Sequence, residues 1–464
     1  MEVIISLLAL AFMITAAYRG YSVILCAPIA ALGAVLLMDP GAVAPVFNGI
    51  FMEKMVGFVK LYFPVFMLGA VFGKLIELSG FSKSIVAYVL KLIGKERAIV
   101  AIVIVSAILT YGGVSLFVVV FAVYPFAAEM FRQGSIPKNI IPGTIALGAF
   151  SFTMTSLPGS PQIQNIIPTG FFGTTSWAAP GLGLIAAAFT LGIGLTYLEF
   201  VRKRAMARGE GYGTDLVNEP APFTEEKLPS PWLALTPLFL VGIMNYAFTK
   251  YIPVAYEKLY TLELPGLPTP LEVATDKLVA VWAVEAALIV GILFVLVSAF
   301  RTIARSAAEG SKAAVAGALL ACMNTASEFG FGGVIAALPG FVAISGALTH
   351  IPNPLLNEAI TINVLAAITG SASGGLSIAL AAMSDTFIQA AEAAKIPLEV
   401  LHRVASLASG GMDNMPHNGG VITLLAVTGL THRQAYKHVF MLTVVLTTVT
   451  SFFIILVHYL TGIV

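Results

Sequence analysis

Charge is what this sequence is shortest of. Of its 464 residues only 11% are Asp, Glu, Lys or Arg, whereas 58% are hydrophobic, and the mean hydropathy is +0.93. Soluble domains carry about 25% charged residues, so too few are present to cover a water-facing surface. The formal net charge is +1, and no stretch clusters Lys and Arg with aromatics, which excludes a nucleic-acid partner. Cysteine is scarce too: Cys26 and Cys322 lie far apart in apolar stretches, leaving neither a disulfide framework nor a metal cluster. Both read as small buried hydrophobes. There is no G-x-x-x-x-G-K-[ST] loop and no soluble domain to host one, which argues against an ATP-driven pump. The start lacks the basic residues and small-residue cleavage site of a secretory signal, since Met1 and Glu2 lead directly into an apolar run to Tyr18. That run reads as a retained membrane helix.

What is present is apolar sequence from end to end. Crossing a bilayer core takes about 20 mostly apolar residues, and plain spans are expected near 2–18, 21–38, 61–79, 181–201, 232–249, 277–299 and 437–461. The other apolar stretches are interrupted. Residues 98–131 are too long for one span and carry paired glycines in LTYGGVS (109–115), which predicts a re-entrant hairpin with its tip at Gly112 and Gly113. Residues 139–170 contain TSLPGSPQIQN (155–165), where Pro158, Gly159 and Pro161 break the helical bond ladder. In the second half, NTASEFGFGG (324–333) predicts a broken element within 313–349. TGSASGG (369–375) divides 357–393 into a second hairpin, and SGGMDNMPHNGG (409–420) interrupts the span 398–430.

Residues 202–231 are the most hydrophilic of the chain and read as a cytoplasmic linker between two halves. Positive charge in short loops favours the cytoplasm. Arg19, the 83–97 group, Arg132, Lys138, the 202–208 cluster, Arg301, Arg305, Lys312, Arg433 and Lys437 all fall on one side under one condition: the first hairpin enters from the cytoplasm and the second from outside, with both termini outside. The exceptions, Lys250, Lys258 and Lys277, are balanced by Glu257, Glu263, Glu272 and Asp276. The expected fold is an all-α polytopic membrane protein of two inverted-topology repeats, 1–201 and 232–464, each with a re-entrant hairpin and a discontinuous helix.

Irregular backbone in hydrocarbon is costly unless it lines a cavity, so the breaks are expected to meet at one polar site near the midplane. Each break starts a half-helix whose free amides carry about +0.5 charge, enough to hold an anion without a fixed cation. The candidate substrate-binding residues are Gly112, Gly113, Ser115, Ser160, Gln162 and Asn165 in the first half. In the second they are Ser371, Ser373, Gly374, Gly375, Asn414, His417, Asn418 and Gly419, with Gly420 as a further amide donor. No Lys or Arg lies in the four breaks these residues come from; the moderate field suits a singly charged carboxylate better than a phosphate or tricarboxylate. The hydroxyl and amide side chains suit a second polar group on that substrate.

Ionisable residues inside a bilayer are expensive and become functional candidates by default. Glu328, Asp385, Asp413 and His417 are the candidates for coupling to protons. Other readings stand beside these. Small residues also serve as packing surfaces, His417 also fits a structural histidine beside Pro416, and Glu328 and Asp413 also fit helix caps. Carbonyls and hydroxyls at helix breaks also hold sodium. A passive channel would share the breaks. An intramembrane enzyme built on Asp413, His417 and a serine lacks a nucleophile elbow, so neither an enzyme nor a cofactor is expected.

The segments SLPGSPQIQN (156–165), ASEFGFGGVI (326–335), GSASGGLSIAL (370–380) and DNMPHNGGVITLLAVTG (413–429) resemble the gluconate:proton symporter family of the ion transporter superfamily, closest to its 3-hydroxybutyrate permease branch. The resemblance covers nearly the whole chain. It implies proton-coupled uptake of a short hydroxylated monocarboxylate, 3-hydroxybutyrate foremost, across a bacterial inner membrane. It also implies scaffold and transport domains, a homodimer and an elevator mechanism. By the same resemblance, Ser160, Gln162, Asn165, Ser371, Ser373, His417 and Asn418 are the expected substrate contacts. Gluconate-type sugar acids and short keto or fatty acids are the alternative cargo.

Overall fold

Where no water is at hand, backbone amides must find carbonyls within their own segment, so so apolar a chain is driven into helices. The computed structural model describes residues 2–464 apart from 20, 95–96, 115, 215–216, 221–227, 305, 341–342, 344–350 and 417. The first half comprises α1 (Glu2–Tyr18), α2 (Val23–Met38), α3 (Pro40–Leu78), α4 (Phe81–Ile93), α5 (Ala98–Tyr111) and α6 (Leu116–Gln133), then α7 (Ile141–Ala149), α8 (Phe152–Thr155), α9 (Ile163–Phe172) and α10 (Pro180–Ala207). The second half comprises α11 (Pro231–Ala255), α12 (Val279–Ile303), α13 (Ala307–Ala337), α14 (Pro354–Thr369), α15 (Ala372–Ala393), α16 (Leu398–Gly411), α17 (Gly419–Thr428) and α18 (His432–Thr461). Among the described residues α3, α10, α11, α12, α13 and α18 are long and apolar enough to cross a membrane.

The fold is not purely helical. Within the loop joining α11 to α12, β1 (Leu259–Leu262) pairs antiparallel with β2 (Leu271–Ala274), Leu259 opposite Ala274. Pro265, Pro268 and Pro270 between them bar a helix, because proline lacks the amide a helix needs.

Two helix pairs fold back on themselves within 98–131 and 357–393. Arms α5 and α6 pack on each other, and the tip turns through Gly113 at φ +89°, a left-handed conformation that glycine adopts without a Cβ clash. Arms α14 and α15 pack likewise. Their chain reverses at Gly370, and the Ser371 hydroxyl caps α15 by accepting the Gly374 amide at 3.0 Å. The span 139–170 is broken between α8 and α9, and the span 398–430 between α16 and α17.

The break expected at 324–333 does not exist: α13 runs through it without interruption. Its glycines serve close approach instead. A Cβ on Gly330 would stand 2.9 Å from the Phe51 carbonyl oxygen, on Gly332 2.9 Å from Ile378 Cα, and on Gly333 2.7 Å from Lys54 Cγ. An interior glycine costs a helix about 1 kcal/mol relative to alanine, a cost offset here by packing against α3 and α15.

Element order recurs in the two halves: a long helix, a hairpin, a broken span, a long helix. Corresponding elements also meet corresponding partners. Helix α3 packs on α13 and α10 on α18; α5 packs on α7 as α14 does on α16; α6 reaches α17 as α15 reaches α9. Large apolar side chains on the outer helices, among them Leu37 on α2, Phe239 on α11 and Val297 on α12, are exposed. A contiguous apolar exterior of this kind would be a liability in water and is what lipid requires.

Part of the segment between the halves is strapped to the helix ends. Lys138 Nζ meets Glu219 Oε1 at 2.7 Å and the Val217 carbonyl at 2.7 Å, and Arg132 also pairs with Glu219. The Tyr124 hydroxyl donates to the Asn218 carbonyl at 2.9 Å, and Asn218 Nδ2 donates to the Ala426 carbonyl at 2.8 Å. Residues 217–219 thus join the second arm of the first hairpin, the start of α7 and the end of α17. Burial alone would raise the Glu219 carboxyl, but hydrogen bonds from Lys138 and Arg132 outweigh it and hold the group below its ordinary range.

Candidate functional site

Proline and glycine leave residues 156–162 without a helical ladder, so their polar groups bond elsewhere. The Tyr111 hydroxyl donates to the Pro158 carbonyl at 2.9 Å, and Gln162 Nε2 to the Thr110 carbonyl at 2.7 Å; both bonds tie the first hairpin tip to the first break. The Ser160 hydroxyl donates to the Thr153 carbonyl at 2.9 Å, and Asn165 Nδ2 donates to the carbonyls of Ser160 and Ser176 at 2.9 and 2.8 Å. Asn245 Nδ2 reaches the Gly159 carbonyl at 3.1 Å. Ser160 and Asn165 are fully buried, so the structure uses them to hold the break in shape, while Gln162 stays half-buried.

The second break is built the same way. Asn418 caps α17 by accepting the Val421 amide at 3.0 Å and donates through Nδ2 to the Gly370 carbonyl at 2.9 Å, tying the break to the second hairpin tip. Asn414 Nδ2 bonds Asp413 Oδ1 at 2.6 Å and approaches the Phe150 carbonyl at 3.4 Å. A Cβ on Gly420 would stand 2.9 Å from the Phe150 ring and 3.2 Å from Leu116 Cδ1 at the start of the first hairpin's second arm. Each hairpin tip is therefore laced to the break in its own half, and the second break lies against the first half. Ser371 and Ser373 are half-buried at the second tip, with Ser373 Oγ 3.1 Å from Thr325 Oγ1 of α13.

A cation stands beside the first break although the break sequences contain none. Arg403 on α16 is fully buried. Its Nη1 donates to the Thr155 carbonyl at 2.8 Å and to Asn165 Oδ1 at 3.1 Å, and its Nη2 donates to the Ala178 carbonyl at 2.7 Å. Among the described residues no carboxylate pairs with it. His402 lies alongside, its Nδ1 2.7 Å from Thr174 Oγ1 and its Nε2 3.3 Å from Asn165 Oδ1. Helix α16 thus brings a guanidinium to Asn165, beside the dipolar helix ends expected from the sequence. The signal was present in the sequence as an adjacent His–Arg pair in the middle of helix α16, followed by a run of small and apolar residues.

The ionisable candidates separate. Glu328 is buried, 3% exposed, and its carboxylate lies against Gly374 at the second tip. Asp413 is half-buried within the second break. Asp385 is exposed on α15, fourteen positions beyond Ser371 and about 21 Å along the helix at 1.5 Å per residue, so the fold leaves it out of the cluster. Ser115 and His417 lie outside the described residues. Gly112, Gly374, Gly375 and Gly420 are buried, Gly113 is half-buried and Gly419 is exposed.

No family model matches the sequence. The chain is 54% identical over 473 residues to a Bacillus subtilis protein named uncharacterized transporter YxjC, with 100% of each chain covered. Among solved structures it is similar to Neisseria gonorrhoeae MtrF, presented as illuminating a class of antimetabolite efflux pumps. That match has a TM-score of 0.51 and 13% identity over 90% of this chain and 84% of that one, a likeness of fold alone. The Alcanivorax borkumensis YdaH transporter, described as having an unusual topology, aligns over 90% of each chain at TM-score 0.47 and 14% identity. With helices long enough to span a bilayer and a full-length relative at this identity, the chain is a multi-pass membrane transporter and belongs to the family of Bacillus subtilis YxjC.

Proposed function

We propose that this transporter is a secondary active symporter that imports a short hydroxylated monocarboxylate, 3-hydroxybutyrate foremost, together with protons. The observation that carries this reading is the lacing of two hairpin tips and two helix breaks into one polar cluster, by Gln162 to Thr110, Asn418 to Gly370 and Asn414 to Phe150. Half-helix ends in such a cluster favour negative charge. Arg403 adds one cation without a carboxylate partner among the described residues, which supports a single negative charge on the cargo. The half-buried Gln162, Ser371, Ser373 and Asn418 offer groups for one further hydroxyl, too few for a sugar acid's polyol chain.

The recurrence of element order and of partners supports two inverted-topology repeats, 1–201 and 232–464, in the bacterial inner membrane. On this reading hairpins and broken spans move as an elevator core against a scaffold of long helices, within a homodimer. The site needs no cofactor and the protein is a carrier rather than an enzyme. The break carbonyls of Thr110, Thr155, Pro158, Gly159 and Gly370 already accept side-chain donors. That leaves less of an oxygen cage for sodium and favours protons as the coupling ion.

The test is uptake by the purified protein in liposomes of labelled 3-hydroxybutyrate, gluconate, short keto acids and short fatty acids, with the outside acidic and sodium absent. The expected result is strongest uptake of 3-hydroxybutyrate, unaltered by sodium, with accelerated exchange against unlabelled substrate inside. Uptake that collapses without sodium overturns proton coupling, and absence of accelerated exchange overturns a carrier in favour of a channel.

A further inference from the structure

A carboxylate of the protein itself already lies against the first turn of a helix at the second hairpin tip. Glu328 projects from the middle of α13 against the first turn of α15. A Cβ on Gly374 would overlap Glu328 Oε2 and Cδ and stand 2.8 Å from Oε1, so the carboxylate rests on the backbone where only glycine leaves room. The group is 3% exposed, and Oε2 has no hydrogen-bond partner among the described residues. It lies beside the first turn of a 22-residue helix, within reach of the positive end of its dipole. The Thr325–Ser373 contact holds α13 and the tip together.

The charged and titratable groups on elements packed against α13 are few. They are Glu53, Lys54, Lys60, Tyr62, Lys74 and Glu77 on α3, Asp385 and Glu392 on α15, and Cys26 on α2. Helix α13 itself adds Glu309, Lys312 and Cys322. Among the described residues none forms an ion pair or hydrogen bond with Glu328.

We propose that Glu328 is a tethered stand-in for the substrate carboxylate: it holds the amide end of α15 in the empty carrier and yields that end to an incoming monocarboxylate only when it gains a proton. This deepens the reading of the cargo as a monocarboxylate and rests on it. Two carboxylates sharing one site cannot both stay ionised, so each anion seated requires one proton taken up as the Glu328 carboxylic acid. No covalent bond of the substrate changes. Release of the substrate lets Glu328 lose the proton and return, which couples the two fluxes at one helix end.

The test compares wild type with Glu328→Gln, measuring 3-hydroxybutyrate binding between pH 5 and pH 8 and proton uptake on binding in weak buffer. Above the Glu328 titration, wild type is expected to take up one proton per anion and to bind about tenfold more weakly per pH unit; below it, binding is expected to level off with no proton uptake. Glu328→Gln is expected to bind with no pH dependence and no proton uptake; substrate exchange persists while accumulation against a gradient is lost. PH-dependent binding that survives in Glu328→Gln overturns the role of Glu328 and leaves the cargo standing. Wild-type binding that weakens with rising pH but takes up no proton in that range overturns it too, as does binding with no pH dependence at all, whether or not the variant folds. If wild type binds none of the labelled acids, the cargo reading falls and this assignment falls with it.

Discussion

Arg403 is the residue on which most of the first break's geometry turns. Its guanidinium spans the Thr155 carbonyl, the Ala178 carbonyl and Asn165 Oδ1, three acceptors contributed by segments on both sides of the break. A planar fork meets three such acceptors; a lysine ammonium is a compact point charge on a flexible stem. Removing the fork takes the side-chain donor from the buried Ala178 carbonyl, at about 1–3 kcal/mol, and leaves the Thr155 carbonyl to Ser406 Oγ at 3.0 Å and Asn165 Oδ1 to His402 Nε2 at 3.3 Å. Arg403→Met is therefore expected to lower the melting temperature in detergent and abolish uptake, and Arg403→Lys to recover stability in part but not transport. Full uptake by Arg403→Lys would show that the charge matters and the fork does not. The pattern also explains why sequence reading ranked Asn165 and Ser160 as substrate contacts: small polar residues at a break look alike whether they face the cargo or hold the backbone. Only burial, complete for both, separates the two.

At the scale of elements, the two hairpins and two broken spans were legible in the sequence. Three of these breaks carry a second signal beside their glycines. The first broken span has Pro158 and Pro161; the second hairpin has Ser371 and the second broken span has Asn418, each seated as the cap of a new helix. The segment 324–333 has glycines and, in Thr325 and Glu328, residues of capping type, but no proline, and it stays helical. Glycine content alone does not distinguish a break from a face of close contact, because the difference lies in the partner helix. The strap at 217–219 was legible only as hydrophilic sequence, since its meaning comes from Lys138 and Arg132 far away in the chain. Its Glu219 carboxyl titrates below its ordinary value of 4.5. A depressed native value means that the stabilisation is complete above the unfolded value and is lost as pH falls through the native one. Glu219→Gln is expected to melt below wild type at pH 7, with the difference closing as pH drops below 4.5; a gap that persists in acid would place the strap's strength elsewhere than in this charge.

At the scale of the whole molecule, the two halves exchange like contacts for like: α3 with α13, α10 with α18, and each hairpin's second arm with the other half's half-helix. Such an arrangement suits a site whose two sides of access are equivalent, and the cargo and its coupling ion then decide what drives transport. One proton moving with one monoanion carries no net charge. The membrane potential, worth about 2.3 kcal/mol per 100 mV for each charge moved, then contributes nothing, and the pH gradient contributes about 1.4 kcal/mol per unit. The decisive measurement records current and lumenal pH together while 3-hydroxybutyrate is added to liposomes containing the protein. The expected result is lumenal acidification in step with uptake, at an unchanged rate when a potential is imposed and with no current. Uptake that follows the imposed potential, or a current that accompanies the substrate, would contradict the account.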